Sequence, residues 1–219
     1  MTEPKSFFVI SRFNEDISWL DSYTSKYLVY NKGNFISEDN RIIPAKNLGG
    51  NQRDEFQFIV NCYECLPPLT AFIQADPFPH CKKEIFDKLI YNDSFTQLEY
   101  YGMVPANGCE GRTIDGKFLE ANVSWYIPAH NATHNQTCRY SSFDQFMNHY
   151  FENYVHLDWL QFSPGSQYIV PKANILYYPK DFWESLMNEL NSLTPTEGHI
   201  IERALYYIYT NVYKLKELY

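Results

Sequence analysis

The run TAFIQADPFPH, residues 70–80, constrains this chain more than any other. Its apolar stretch, Thr70 to Ile73, reads as a buried strand, because a short apolar run bounded by proline is strand-like. The run ends in Gln74, Ala75 and Asp76 and then breaks at Pro77 and Pro79 before His80. In an open α/β sheet, ligands sit outside the carboxyl ends of the strands. A carboxylate just past such an end can hold a divalent metal, and the metal can hold a diphosphate. Asp and Pro are also ordinary turn formers, and on that reading Asp76 is a solvated turn residue.

The segments around this run alternate in type. Residues 7–11, FFVIS, form a β-rich run and the first expected strand. Asp16 then caps an expected helix through Trp19 and Leu20 to Tyr23. Residues 27–30, YLVY, are a second strand closed by Asn31-Lys32-Gly33, and a polar loop runs from there to Pro44. After the loop Asn47-Leu48-Gly49-Gly50, residues 54–65 read as a helix, with Phe56, Ile59, Val60 and Tyr63 at helical spacing. Strand and helix alternating in this way imply a parallel sheet with crossover helices. The loops at 12–16, 31–33 and 74–80 should therefore open on one sheet edge. The second half is less regular. Helices are expected over 82–90, 143–154, 181–193 and 197–213, and strands over 123–127 and 168–170, with loop and short strands between 92 and 122.

Composition narrows the function. The formal net charge of −8 argues against a nucleic-acid binder, which needs a basic footprint to displace counterions. A nucleotide site is compatible with it, since a few basic groups and a metal suffice. The 19 Tyr, 16 Phe and 4 Trp offer flat faces that suit sugar rings and nucleobases, although such residues also fill cores. Five cysteines, an odd number without a secretory signal, point to a reducing compartment and a cytoplasmic protein. Cys62 and Cys65 form one C-x-x-C within a predicted helix, with no second pair to complete a zinc site. The sequons at Asn92, Asn122, Asn131 and Asn135 read as a by-product of Asn-rich composition. No apolar run approaches the ~18 residues of a membrane span.

Several blocks together resemble a known family. SRFNED after the first strand, NLGGNQRDEFQFIVNCY before a helix, TAFIQADPFPH, SPGSQYIVPKANILYYPKDFWESL and HIIERALYYIY occur in the order of a GT-A-like family once catalogued as a domain of unknown function. The combination is also similar to the first domain of a multidomain chlorella-virus glycosyltransferase that builds capsid glycans. The resemblance spans nearly the whole chain. It implies a single GT-A (Rossmann-like) α/β domain with a central, mostly parallel mixed sheet flanked by helices. That domain would cover residues 1–213, with 1–80 the nucleotide-binding half and 81–213 the acceptor-side half. Residues 214–219 would begin a linker to a further domain. The implied activity is metal-dependent transfer of a sugar from a UDP-sugar to a glycan or glycoprotein acceptor, with Mn2+ or Mg2+. The viral likeness further implies a hexosyl or rhamnosyl transfer in capsid glycan synthesis in the host cytoplasm. One departure stands out: where the wider fold carries Asp-x-Asp, this chain reads Asp76-Pro77-Phe78, with one carboxylate.

Glycosyl transfer needs a held and neutralised diphosphate, a deprotonated acceptor hydroxyl and a sugar between them. Asp76 is the first candidate metal ligand, with His80 and His199 as further ones; either His also suits an ordinary hydrogen-bonded role. Ser11, Arg12 and Asn14, at a strand-to-helix turn, are candidates to meet the nucleotide, and Arg12 could instead pair with Glu15 or Asp16. Asn31 and Lys32 would lie beside them, with Gln74, Ala75 and Arg53. Gly49 and Gly50 would let backbone approach the ligand. Glu202 is the candidate at the reacting centre, to take the acceptor's proton or to stabilise positive charge at the anomeric carbon; an exposed helix Glu is the alternative, and Asp158 is a rival carboxylate. Trp125, Tyr126, His130 and Trp159 could line the acceptor side. Two other function classes fit less of the pattern. One is a non-catalytic nucleotide-sugar or carbohydrate-binding module of the same fold. The other is a phosphoester metallohydrolase, which needs a denser His/Asp cluster.

Overall fold

Phe8, Val9 and Ile10 send side chains to alternate faces of one strand, and all three are buried. Burial on both faces is the mark of a central strand, and β1 (Phe7–Arg12) is one. It pairs in parallel with β2 (Tyr27–Asn31) on one side and, after β3 (Ile42–Pro44) and helix α1 (Gly50–Cys62), with β4 (Leu69–Gln74) on the other. The computed structural model describes residues 3–99, 110–123 and 126–217, apart from the side chain of Tyr126.

Helix α2 (Lys83–Leu89) and strand β5 (Thr96–Gln97) follow β4. Strands β6 (Glu110–Arg112) and β7 (Phe118–Ala121) lead to helices α3 (Tyr126–His134) and α4 (Phe143–Tyr150). Strands β8 (Trp159–Gln161) and β9 (Tyr168–Pro171) precede a short helix α5 (Lys172–Ile175), α6 (Lys180–Glu189) and α7 (Glu197–Tyr209). The main sheet runs β3-β2-β1-β4-β9-β5, and β6-β7-β8 form a second, antiparallel sheet. The first four strands of the main sheet are parallel, while β9 and β5 join antiparallel. Strands β1 to β4 form the parallel sheet that the alternation of the first 80 residues implies, and the antiparallel β9 and β5 make the whole a mixed, mostly parallel α/β sheet.

Each sheet face carries its own core. On one, Val9 and Phe72 meet Phe56 and Ile59 of α1, Phe182 and Trp183 of α6, and Leu205 and Ile208 of α7. On the other, Phe8, Ile10, Ala71 and Ile73 meet Leu20, Phe86 and Ile90. Each fully buried aromatic or aliphatic side chain contributes about 1.5–3 kcal/mol, so the two layers together hold the sheet rigid at its edge loops. No helix among the described residues is long and apolar enough to cross a membrane.

Several local expectations are corrected. The segment from Asp16 forms only a 3-10 turn, Ser18–Ser22, because the Asp16 carboxylate accepts the Ser18 N–H and hydroxyl two residues on and closes a tight turn. The polar loop before Pro44 contains β3, whose three residues are too few to show alternation. Helix α1 begins at Gly50, four residues before Asp54, and gives way to a 3-10 turn at Tyr63–Cys65. The expected strand over 123–127 is not formed as such, since Ile127 lies in α3; residues 124 and 125 are outside the described residues. Residues 214–216 neither extend α7 nor leave the domain. Leu215 bridges to Phe151, and the Lys216 N–H bonds the Tyr150 carbonyl, so this segment closes against the end of α4.

Candidate functional site

The sheet order reverses beside β1: the chain leaves toward β2 and β3 on one side and returns through α1 to β4 on the other. Such a switch point opens a crevice at the carboxyl ends of the strands. Here Ser11 of β1 lies in register with Gln74 of β4, and the crevice is a cavity of about 410 Å3. Ser11, Arg12, Lys32, Gly50, Gln74, Ala75 and Asp76 line it, together with Phe13, Glu15, Asn47, Asn51 and Pro79.

Lys32 and Ser11 converge on Asp54, a residue that sequence reading missed. Lys32 Nζ is 3.0 Å from Asp54 Oδ2, and Ser11 Oγ donates to the same oxygen at 2.5 Å. Lys32 also donates to the carbonyls of Leu48, at 3.2 Å, and Gly50. It thus ties the end of β2 to the start of α1, with its charge balanced by Asp54 at the wall of the cavity. Burial pushes the Lys32 ammonium down and the Asp54 carboxyl up, and each restrains the shift of the other. Asp54 and its neighbour Glu55 both face inward on α1, where a charged residue ordinarily faces solvent, so only the structure reveals them.

Arg12 is buried rather than paired at the surface. Its Nε donates to the Glu15 carbonyl at 2.8 Å and its Nη1 to Asn31 Oδ1 at 2.7 Å, while its guanidinium lies 4.8 Å from the Phe35 ring centroid. Both hydrogen-bond partners are neutral acceptors, so the positive charge at the end of β1 is oriented without being cancelled in contact. Asn31 therefore acts through Arg12. Asn14 is exposed and lies against Gly33 instead of lining the cavity.

Gly49 and Gly50 open α1 with φ of +63° each, a conformation costly for residues with a Cβ. The backbone at Gly50 can thus form the rim of the cavity. Arg53, one turn on, does not line it, and its Nε is buried without a hydrogen-bond partner among the described residues.

At the end of β4, the Ala75 carbonyl accepts from Trp19 Nε1 at 2.8 Å and Asp76 projects into the exposed mouth of the cavity. His80 turns away from it and packs on Gly165, where an added Cβ would come within 2.7 Å of the ring. Burial lowers the His80 pKa, and its Nδ1 has no hydrogen-bond partner among the described residues. Gly165, φ +75°, belongs to the Ser163-Pro164-Gly165-Ser166 loop before β9. Its carbonyl accepts from Asn51 Nδ2 at 2.7 Å, Ser166 Oγ accepts from Gln52 at 2.9 Å, and its N–H donates to Glu202 Oε1 at 2.6 Å. One loop thus joins the first turn of α1 to α7. The Pro-Gly break was visible in the sequence; its partners, Asn51 and Gln52, carried no signal beyond following the two glycines.

Glu202 lines a second cavity, of about 250 Å3, which shares Gly50 with the first. Its side chain is 16% exposed, and burial pushes its pKa up against the restraint of Arg203 and the Gly165 N–H. Arg203 lies 3.4 Å from Glu202 Oε2 but is held mainly by Glu120, with contacts of 2.9, 3.0 and 3.2 Å. His130 and His199 line the same cavity. The Thr194 carbonyl, 2.9 Å from His130 Nε2, can only accept, so that nitrogen carries a proton. The His130 Nδ1 lies 2.9 Å from His199 Nε2, and the two rings share a hydrogen bond. Burial, with Arg203 and the neighbouring histidines, pushes His199 down to about 4, so it is neutral at physiological pH.

The other sequence candidates separate from this centre. Asp158 is at the surface, its side chain 91% exposed beside His156, and lines neither cavity. Trp159 packs over Gly111 at the second sheet. Trp125 and the side chain of Tyr126 lie outside the described residues. The three candidate metal ligands are not grouped: Asp76 lines the larger cavity, His199 the smaller, and His80 neither. Among the described residues no three His, Cys, Asp or Glu side chains are clustered to hold a metal ion. A cation at Asp76 fits only if a bound diphosphate and water complete its shell, since the other carboxylate lining the cavity, Glu15, accepts the Phe13 and Asn14 N–H groups.

The profile of one family, described as a protein of unknown function (DUF3431), matches residues 8–219. No curated protein and no solved structure matches the chain.

Proposed function

The chain belongs to the DUF3431 family, whose description assigns no activity, and from its two adjoining cavities we propose that it is a GT-A-type glycosyltransferase using a UDP-sugar. The observation that carries this reading is a division of chemistry at Gly50. On one side lies a cavity lined by Arg12, the Asp54-paired Lys32, Glu15 and Asp76; on the other lies one with a buried carboxylate and no Lys or Arg among its lining residues. A nucleotide diphosphate suits the first and a sugar the second. Asp76 would hold Mn2+ or Mg2+, which supplies charge neutralisation of the leaving diphosphate when bound. Arg12 adds fixed positive charge at the same edge, while Lys32 is balanced by Asp54 and holds the Gly50 rim in place.

In the transfer, the bond from the anomeric carbon to the diphosphate oxygen breaks and its electron pair leaves with UDP. The acceptor oxygen forms the new bond to that carbon, and its proton passes to Glu202. Burial suits Glu202 to this role, because a carboxylate with a raised pKa is a stronger base than an exposed one. The Gly165 N–H and Arg203 hold the carboxylate in place. The lone carboxylate at the end of β4 also favours a second reading, a binding module that takes a nucleotide sugar without turning it over.

Calorimetric titration of UDP with Mn2+ and with EDTA, on the native protein and on Asp76→Ala, tests the proposal. Metal-dependent binding lost in the variant is the expected result, followed by transfer from a UDP-sugar to an added sugar acceptor. Binding without transfer selects the module, and absence of UDP binding under both conditions overturns both readings.

A further inference from the structure

Resting on that reading of the two cavities, we infer that the transferred sugar is a single neutral ring and that Glu202 is the residue that excludes uronic acids. The sugar cavity, about 250 Å3, has room for one hexose and opens to solvent. Its walls are largely backbone and apolar surface from Gly49, Gly50, Leu193, Pro195 and Gly198. Such walls offer little to stabilise a second charge.

The charge balance at its base is unfavourable to an anion. Glu120 and Glu202 share one guanidinium, that of Arg203, and the closer contacts go to Glu120. Two carboxylates against one cation leave the site acidic when both are ionised. No Lys or Arg is among the described residues that line the cavity, so none of its walls adds a compensating cation. A sugar carboxylate entering here would lose water, meet no cation of its own and face Glu202. A hydroxymethyl group at the same ring position meets none of these penalties, and the Glu202 oxygens can accept its hydroxyl. Like-charge juxtaposition in a desolvated site costs enough to discriminate about 100-fold or more.

UDP-glucose and UDP-glucuronate differ only in oxidation at C6 and form the decisive pair. Their affinities, and that of UDP, are measured by calorimetry with Mn2+ on the native protein and on Glu202→Gln. The expected result is glucuronate binding at least about 100-fold weaker than the glucose compound, with the gap narrowed in the variant when each sugar's affinity is read against that of UDP on the same protein. Equal affinity for the two sugars on a protein that binds UDP overturns the inference and leaves the donor reading standing. A gap that persists undiminished in Glu202→Gln overturns the assignment to Glu202. No binding of UDP itself removes the donor reading, and this inference with it.

Discussion

Glu99 is a fully buried carboxyl just past β5. One oxygen accepts the Phe118 N–H at 2.8 Å, and the other has no hydrogen-bond partner among the described residues. Burial pushes its pKa up to about 7, against the pull of that N–H and of Lys117. In the unfolded chain a Glu titrates near ~4.3. The native state therefore keeps a proton that the unfolded state releases. The resulting stability is fully present below the unfolded value and is lost as pH rises through about 7. Glu99→Gln should melt like the native protein at pH 4 and higher than it at pH 8. The difference is on the order of 3 kcal/mol, and each kcal/mol moves Tm by roughly 2–4 °C in a chain of this size. Identical melting of the two proteins at both pH values would show that Glu99 is ionised in the native state. Residues of this kind are poorly legible in sequence. Asp76, Arg12 and Gly50 stood out because they follow strand ends or breaks. Glu99, Asp54 and Glu120 occupy positions where a charged residue ordinarily faces solvent, and nothing local says that the neighbouring chain folds over them.

The elements carry a sharper test at the start of α1. Gly49 and Gly50 share a φ of +63°, yet their surroundings differ. A Cβ on Gly49 would lie 2.4 Å from the Leu190 carbonyl oxygen and 2.7 Å from the Leu190 Cβ, both part of the end of α6. A Cβ on Gly50 would meet only the side-chain oxygen of Gln52, at 2.9 Å, which can swing away. Both alanine variants carry the left-handed penalty of about 1–2 kcal/mol, but Gly49→Ala must also part α1 from α6, where the Gly49 N–H bonds the Ser192 carbonyl at 2.8 Å. Urea midpoints should fall in both, and further in Gly49→Ala; equal losses would mean that the contact with α6 can relax freely. Helices α1, by its apolar spacing, and α2, α4, α6 and α7 were expected to within a few residues, and each buries apolar side chains in one of the two cores. Strands β3 and β8 were not legible, since three residues cannot display alternation and their pairing depends on distant partners; β5, β6 and β7 fall where short strands were expected without bounds.

At the scale of the whole molecule, the parallel order of β1 to β4 brings three strand-end loops to one edge, as the alternation in the first 80 residues predicted. What sequence could not disclose is that β9 returns antiparallel beside β4 and delivers the Gly165 loop between that edge and α7. Two cavities built by opposite ends of the chain thereby meet at Gly50. If a nucleotide sugar spans them, its two parts should stabilise different segments. UDP with Mn2+ should slow amide hydrogen exchange at residues 12–15, 47–51 and 74–79, which border the larger cavity. A UDP-hexose should add residues 193–202, reached only by the sugar. The comparison separates a bridging ligand from a general stiffening of the fold, because binding that merely raised global stability would slow exchange across both cores. Protection of 193–202 by UDP alone would place the nucleotide in the smaller cavity and reverse the assignment. Identical protection by UDP and UDP-hexose, confined to the larger cavity, would mean that the sugar does not enter beside Glu202, and another carboxylate would then have to take the acceptor's proton.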